Sequence, residues 1–449
     1  MKHLFSRLSP AQKIILSFLL VIFCGSLLLS LPWVQTASSQ AGYLDHLFTA
    51  VSMVCVTGLF TRSVVDTYNV WGQLLCMLLI QIGGLGILTF IGFFTMESRK
   101  KLSLKDRRIL RDSFSYGHNR TLGQFVRSIF ITTFTIEGLG ALLLMIRFIP
   151  KFGLIKGIFN SIFLAVSAFC NAGFDNFGND SLLGLQTDVL ANITLALLII
   201  TGGLGFMVWF DLATKLGGKQ KGLHFHTKVV LLLTAGLLVF GTVTSLWTEY
   251  NNPGTIGNLS FGDKLLVSFF QTVSMRTAGF ASIDYTAARP VTLFIYLLQM
   301  FLGGAPGGTA GGLKITTFLV LLLFARKEIL GLPHTNMGRR TLSPQLVQKA
   351  FGVTVIFQLT FLLGLLALGL VTDSSHRFIY LIFETVSALA TVGVTANITT
   401  SLNTAGMIVI MLLMFIGRVG PLTLMVSLNH YQPKNAATLH YSKADIMIG

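Results

Sequence analysis

Of the chain's 449 residues, 53% are hydrophobic and only 11% are charged, against about 25% charged in an ordinary globular domain. That balance sets aside a soluble domain and places the chain in a bilayer, where runs of about 20 apolar residues cross the hydrocarbon core. The net charge of +16 raises nucleic acid as a partner, but the basic residues track the apolar segments and read as topology instead.

The first apolar run, 14–31, lacks a small-residue cleavage site in a suitable setting and reads as a retained span. From there one pattern occurs four times: a long span, a segment of about a dozen residues too short to cross, a loop with a lone glycine, and a second span. The first repeat predicts an outer span over 13–33, a pore helix over 45–55 and an inner span over 70–96. The second predicts 125–148, 157–169 and 188–212; the third, 227–247, 261–275 and 290–324. The fourth predicts 344–371, 375–390 and 404–428. The expected fold is all-α integral membrane, with eight transmembrane helices in four span–pore-helix–span repeats and pseudo-fourfold symmetry around a central pore. The repeats occupy 1–98, 99–214 (including a basic connection), 215–326 (with a broken inner helix) and 327–449 (with the C-terminal tail).

Lys and Arg gather at the N-terminus and between repeats. The first connection holds Arg99, Lys100, Lys101, Lys105, Arg107, Arg108, Arg111, Arg120 and Arg127. The second holds Lys215, Lys219, Lys221 and Lys228, and the third Arg326, Lys327, Arg339, Arg340 and Lys349. Segments on the opposite side carry Asp175, Asp180, Asp188, Asp263 and Asp284 instead. This is the positive-inside pattern, and it puts both termini in the cytoplasm. Cys24, Cys55, Cys76 and Cys170 all lie in apolar segments, which suggests packing rather than a disulfide framework.

The repeats share a local motif: VSMVCVTGL at 51–59, VSAFCNAGF at 166–174, VSMRTAGF at 273–280 and VSALATVGV at 386–394. Their glycines, Gly58, Gly173, Gly279 and Gly393, are spaced 115, 106 and 114 residues apart. Non-helical backbone at membrane depth is tolerated only inside protein or against water, so the loops belong on a central axis. A site that strips water from an alkali cation needs backbone carbonyls turned inward, which glycine permits at little steric cost. The pore helices would add the negative ends of their dipoles. The candidate ion-binding residues are Val56, Thr57, Gly58, Asn171, Ala172, Gly173, Thr277, Ala278, Gly279, Thr391, Val392 and Gly393. None is a carboxylate, which disfavours an acidic ring for divalent ions.

These loops, with VTGL, NAGF, RTAGF and TVGVT, resemble those of the potassium-transporter superfamily that includes KtrB, TrkH and the plant HKT proteins, and the resemblance runs to about Leu428. Eight spans beginning near residue 13 look most like the KtrB branch. The resemblance implies potassium uptake, with K+ as the substrate at the filter carbonyls. In that family glycine in all four loops goes with potassium preference, and serine at the first goes with sodium transport in some plant members; Gly58 fills that position. The third repeat departs from the others, since Ser274 precedes Gly279 by five residues where the rest use six. Its pore helix is therefore expected to end differently, with Arg276 at the junction.

The inner spans repeat a second feature. Gly83-Gly84-Leu85-Gly86 and Gly202-Gly203-Leu204-Gly205 read as close helix crossings. The third span instead holds Gly303, Gly304, Ala305, Pro306, Gly307, Gly308, Thr309, Ala310, Gly311 and Gly312, which cannot sustain a helix. A phosphate loop is a poor reading, because Leu313 intervenes before Lys314 and the stretch lies within a span. A plug across the path fits better, and the resemblance implies an intramembrane gating loop here. The fourth span has Gly417-Arg418-Val419-Gly420-Pro421, and Gly303 and Gly417 each fall 24 residues after their loop glycine, at similar depth. A mid-span arginine is expensive unless paired, so Arg418 joins the gate as a charge barrier and a donor to loop carbonyls.

His224 and His226 lack further ligands nearby and read as structural. Glu137 reads equally as an ion site or an interhelical hydrogen bond, and Glu384 as a brace or cap of its pore helix. No catalytic constellation is present, so an enzyme is not expected. The rivals are a sodium-selective or weakly selective member of the same superfamily and an alternating-access carrier, which more typically shows inverted repeats. No connection is long enough for a nucleotide-binding domain. The resemblance implies a homodimer in the bacterial cytoplasmic membrane, a separate cytosolic RCK-type ring (KtrA-like) that binds nucleotide, and Na+ as an activator. It implies no organic cofactor on this chain.

Overall fold

The computed structural model describes residues 10–86, 122–178, 181–218, 220–372 and 377–420. Arg99, Lys100, Lys101, Lys105, Arg107, Arg108, Arg111 and Arg120, with Asp180, Lys219, Ser375 and Pro421, lie outside the described residues. So do the predicted span ends 87–96 and 421–428 and the C-terminal tail.

The first repeat runs α1 (Pro10–Leu29), α2 (Tyr43–Val54) and α3 (Val70–Leu85). The second runs α4 (Leu122–Phe152), α5 (Leu154–Phe169), α6 (Val189–Gly203) and α7 (Phe206–Leu216). The third holds α8 (Phe225–Glu249), α9 (Phe261–Ser274), α10 (Pro290–Phe301) and α11 (Ile315–Ile329). The fourth holds α12 (Pro344–Val371), α13 (Phe378–Leu389) and α14 (Thr404–Val419). A small antiparallel hairpin, β1 (Asn336–Met337) with β2 (Arg340–Thr341), punctuates the third connection of this otherwise helical chain.

Polar caps set the starts of several of these helices. Asn69, Asp188, Ser260, Ser343 and Asn403 each accept from a backbone N–H of the first turn, which would otherwise be orphaned. Among the described helices, α1, α4, α8 and α12 are long and apolar enough to cross a membrane. Their outward faces are apolar, as Leu19, Leu20 and Phe23 on α1 and Leu362, Leu363 and Leu366 on α12 illustrate. Trp33, Trp71 and Trp247 are exposed near the C-terminal end of α1, the N-terminal end of α3 and the C-terminal end of α8, where amphipathic rings favour the headgroup layer.

The inner spans differ from expectation. The second, predicted unbroken over 188–212, bends by 97° between α6 and α7. Gly205 breaks it, at a φ of +89° that other residues rarely adopt. Likewise α3 stops before Gly86 and α14 before Gly420, at φ of +83° and +92°. The GGLG motifs therefore do two things, and the close-crossing reading covers only the leading glycines. A Cβ on Gly83 or Gly202 would run into the carbonyl of Val54 or Phe169, so these glycines let the inner helix touch the end of a pore helix. The third span is broken as expected, between α10 and α11.

The pore helices span 12–16 residues, roughly 18–24 Å, which falls short of the hydrocarbon core. They make up the protein's interior: Phe48, Phe163, Phe169, Phe270 and Phe383 are fully buried among them. Helices that cannot reach across are thus surrounded by helices that can, which brings all four glycine loops to the centre.

Candidate functional site

Each pore helix ends just before its glycine. Helices α2, α5 and α13 end four residues ahead, at Val54, Phe169 and Leu389, whereas α9 ends five ahead, at Ser274. Arg276 occupies the junction, as the short Ser–Gly spacing implied. All four loops then use the left-handed region two residues before the glycine: Val56, Asn171, Thr277 and Thr391 have φ of 56°, 59°, 67° and 51°. Such backbone costs about 1–3 kcal/mol per residue and persists only where the surroundings enforce it. The four instances stand in the same register of the four loops.

The glycines close a ring. A Cβ on Gly58 would sit 2.7 Å from the Ala172 carbonyl oxygen, one on Gly173 2.6 Å from that of Ala278, and one on Gly279 2.6 Å from that of Val392. One on Gly393 would strike the Thr57 carbonyl, completing the circuit. The carbonyl before each glycine therefore points at the glycine of the preceding loop, with that of Thr57 closing on Gly393, and no side chain fits between. The buried hydroxyls of Thr57, Thr277 and Thr391 find no partner among the described residues. In repeats one and four the pore-helix serine holds the loop, as Gly58 N donates to Ser52 Oγ at 3.1 Å and Gly393 N to Ser387 Oγ at 3.0 Å. In repeat two the donor is Phe174 N, and in repeat three Ser274 Oγ itself donates to Phe280 O.

The segments leaving the ring are tied back to the pore helices by polar pairs. Thr61 donates to Asp45, Asn176 to Asn160, and Gln271 to Ser282, at 2.6–2.7 Å. In the fourth repeat Glu384 accepts from Thr395 at 2.6 Å and from Thr399. Glu384 thus braces the loop exit rather than capping its helix. Replacing Glu384 by Ala is expected to lower the unfolding temperature of the purified protein, because the buried hydroxyl of Thr399, left unpaired, costs about 1–3 kcal/mol. A melting curve like that of wild type would show the brace to be dispensable.

Beneath the ring lies the stretch 303–312, folded as a loop whose ends meet in a bridge between Leu302 and Leu313. Ala305 N donates to Gly203 O at 2.9 Å and Thr309 N to Gly202 O at 3.2 Å, while Gly307 O accepts from Phe206 N at 3.0 Å. The loop is therefore bonded into the break between α6 and α7. Thr309 Oγ1 reaches Phe169 O at 3.1 Å, and Gly311 packs against Thr391 and Ala390. It spans from the base of the second loop to that of the fourth. Arg418 donates to Thr309 O on this stretch, and to Gly83 O and Gly84 O on α3, the last at 3.2 Å.

Lys314 was not anticipated: its Nζ donates to Ala310 O at 2.6 Å and Gly311 O at 3.3 Å, drawing the loop closed. A lysine at the end of a glycine run within an apolar span is the signal that could have found it. Glu137 accepts from Gln81 on α3 at 3.3 Å, an interhelical bond, and lies 3.9 Å from Cys170 Sγ at the end of α5. His224 pairs with Asp211 through both its ring and its backbone N–H, which ties the start of α8 to α7.

The family described as TrkH, cation transport protein, matches residues 7–438. The Ktr system potassium uptake protein B of Bacillus subtilis is 38% identical over 446 residues, covering 99% of this chain and 97% of that protein. The potassium/sodium uptake protein NtpJ of Enterococcus hirae is 39% identical over 453 residues, covering 100% and 99%. The potassium transporter TrkH from Vibrio parahaemolyticus has a similar structure, with a TM-score of 0.73 at 17% identity over 93% of this chain and 84% of that one.

Proposed function

The chain belongs to the TrkH family of cation transport proteins, and from that premise we propose that it takes up potassium through the ring of four glycine loops. It is an integral membrane transporter and not an enzyme. The observation that carries the reading is the closed circuit in which each glycine faces the preceding carbonyl of the next loop. Carbonyl dipoles suit an alkali cation, and the loop residues include no carboxylate that would favour a divalent one. The hydroxyls of Thr57, Thr277 and Thr391, without a partner among the described residues, add groups that an ion or its hydration water would satisfy. In this reading the segments 1–98, 99–214, 215–326 and 327–449 each give one loop, and 303–312 with Arg418 gates the path below.

The further expectations are a homodimer in the bacterial cytoplasmic membrane with both termini inside, an RCK-type cytosolic ring acting on the gate, and stimulation by sodium. A second reading, uptake of sodium beside potassium, is favoured by the relative named for potassium/sodium uptake. The test is growth and potassium uptake by cells lacking their own potassium transport, expressing this chain with and without an RCK-type partner. Restored uptake at low external potassium supports the proposal, and sodium flux in vesicles free of potassium would establish the second reading. Uptake of neither ion would overturn both.

A further inference from the structure

The four loops differ in charge at one place. Three residues before the glycine stand Cys55, Cys170 and Ala390 in three repeats and Arg276 in the third. Arg276 is buried, with 7% of its surface exposed. Its hydrogen-bond contact is a marginal one, from Nη2 to Thr234 Oγ1 on α8 at 3.5 Å, and its Nε has no acceptor among the described residues. The ion pairs found among the described residues join Arg147 to Asp188, His224 to Asp211 and Lys327 to Glu328, and none includes Arg276. A guanidinium stays protonated, so this is a buried positive charge with no acidic partner in that set. Such a charge is costly to keep. Part of that cost is offset by its place two residues beyond the end of α9, where the helix dipole is negative.

We infer that Arg276 sets the affinity of the ring, as a fixed positive charge beside the third loop that weakens cation binding there. The inference rests on the reading of the four loops as one cation site. Consecutive Cα atoms are about 3.8 Å apart, so the Arg276 backbone lies within about 11 Å of Gly279. It cancels at the third loop the dipole attraction that the other three pore helices keep. Conduction gains from this, because an ion must bind well enough to enter and loosely enough to leave. The guanidinium is turned to Thr234 on α8, and one unit charge about 10–15 Å away, at an effective dielectric of about 20, shifts the affinity for a monovalent cation by roughly five- to fifteenfold.

The test measures the KM and maximal rate of potassium uptake into vesicles containing the full chain. Arg276→Gln is expected to lower KM about tenfold and to lower the maximal rate, as ions leave more slowly. Arg276→Lys keeps the charge and is expected to hold KM severalfold above that of the neutral variant. If Gln does not assemble, Arg276→Met replaces it, since its unbranched apolar chain fills the same space. An unchanged KM in the neutral variant, or equal effects of Lys and Gln, would overturn the inference. So would failure of both neutral variants to assemble while Lys assembles, which would assign Arg276 to folding. Gly279→Ser, assayed alongside for its potassium-to-sodium ratio, separates the two levels. A shifted ratio with an unmoved KM in Arg276→Gln sinks only the role of Arg276, and an unmoved ratio as well sinks the ring and the inference with it.

Discussion

Replacing Gly58 by Ser is expected to reduce the preference for potassium over sodium by about tenfold, corresponding to about 1.4 kcal/mol of differential binding. Gly58 has a φ of +104°, and its new Cβ would lie 2.7 Å from the Ala172 carbonyl oxygen. One or the other must shift, and the shifted carbonyl no longer presents the same cage. The added hydroxyl supplies a ligand that suits a smaller cation. Gly393 is more tightly held, because its Cβ would strike the Thr57 carbonyl directly. Gly393→Ser is therefore expected to damage assembly as well as selectivity. Potassium and sodium uptake compared in vesicles for single substitutions at all four glycines decides the matter. An unchanged ratio in all four would mean that the ring is not where ions are chosen.

Removing 305–310 is expected to raise potassium flux by about tenfold or more and to make it independent of a regulatory partner. The deletion takes away the bonds from Ala305 and Thr309 to α6 and the Thr309 carbonyl that Arg418 holds, while the residues of the Leu302–Leu313 bridge remain. Arg418→Gln acts in the same direction, since hydrogen bonds to a charged donor contribute about 1.5–3 kcal/mol each. It also removes a positive charge from beneath the ring. Misassembly is the competing outcome, because the Gly202 and Gly203 carbonyls at the broken end of α6 lose their N–H donors. Flux is therefore measured beside the yield of assembled protein. A deletion variant that assembles normally and carries wild-type flux, still under partner control, would reduce the stretch to a structural bend.

The four repeats, the four glycines, the break in the third inner span and the need of Arg418 for partners were all legible in the sequence. Each is a local matter: apolar run length, a backbone shape that glycine tolerates, a density of glycine no helix survives, a charge amid apolar neighbours. The register of the third loop was legible too, as one residue fewer between Ser274 and Gly279. The break between α6 and α7 was not. Gly205 looks like its packing neighbours Gly202 and Gly203, and its positive φ comes with its seat against Pro306 of the third repeat. What only the tertiary structure decided is who meets whom across the axis. Arg418 reaches Gly83 across 335 residues of chain, and Thr309 reaches Phe169 across 140. Such pairings depend on how four helical hairpins turn about a shared centre, and no periodicity within one hairpin encodes that rotation. The local backbone thus determined what each repeat could offer, and the packing of the repeats decided that the offers converge on one ring of carbonyls with a closed loop beneath it.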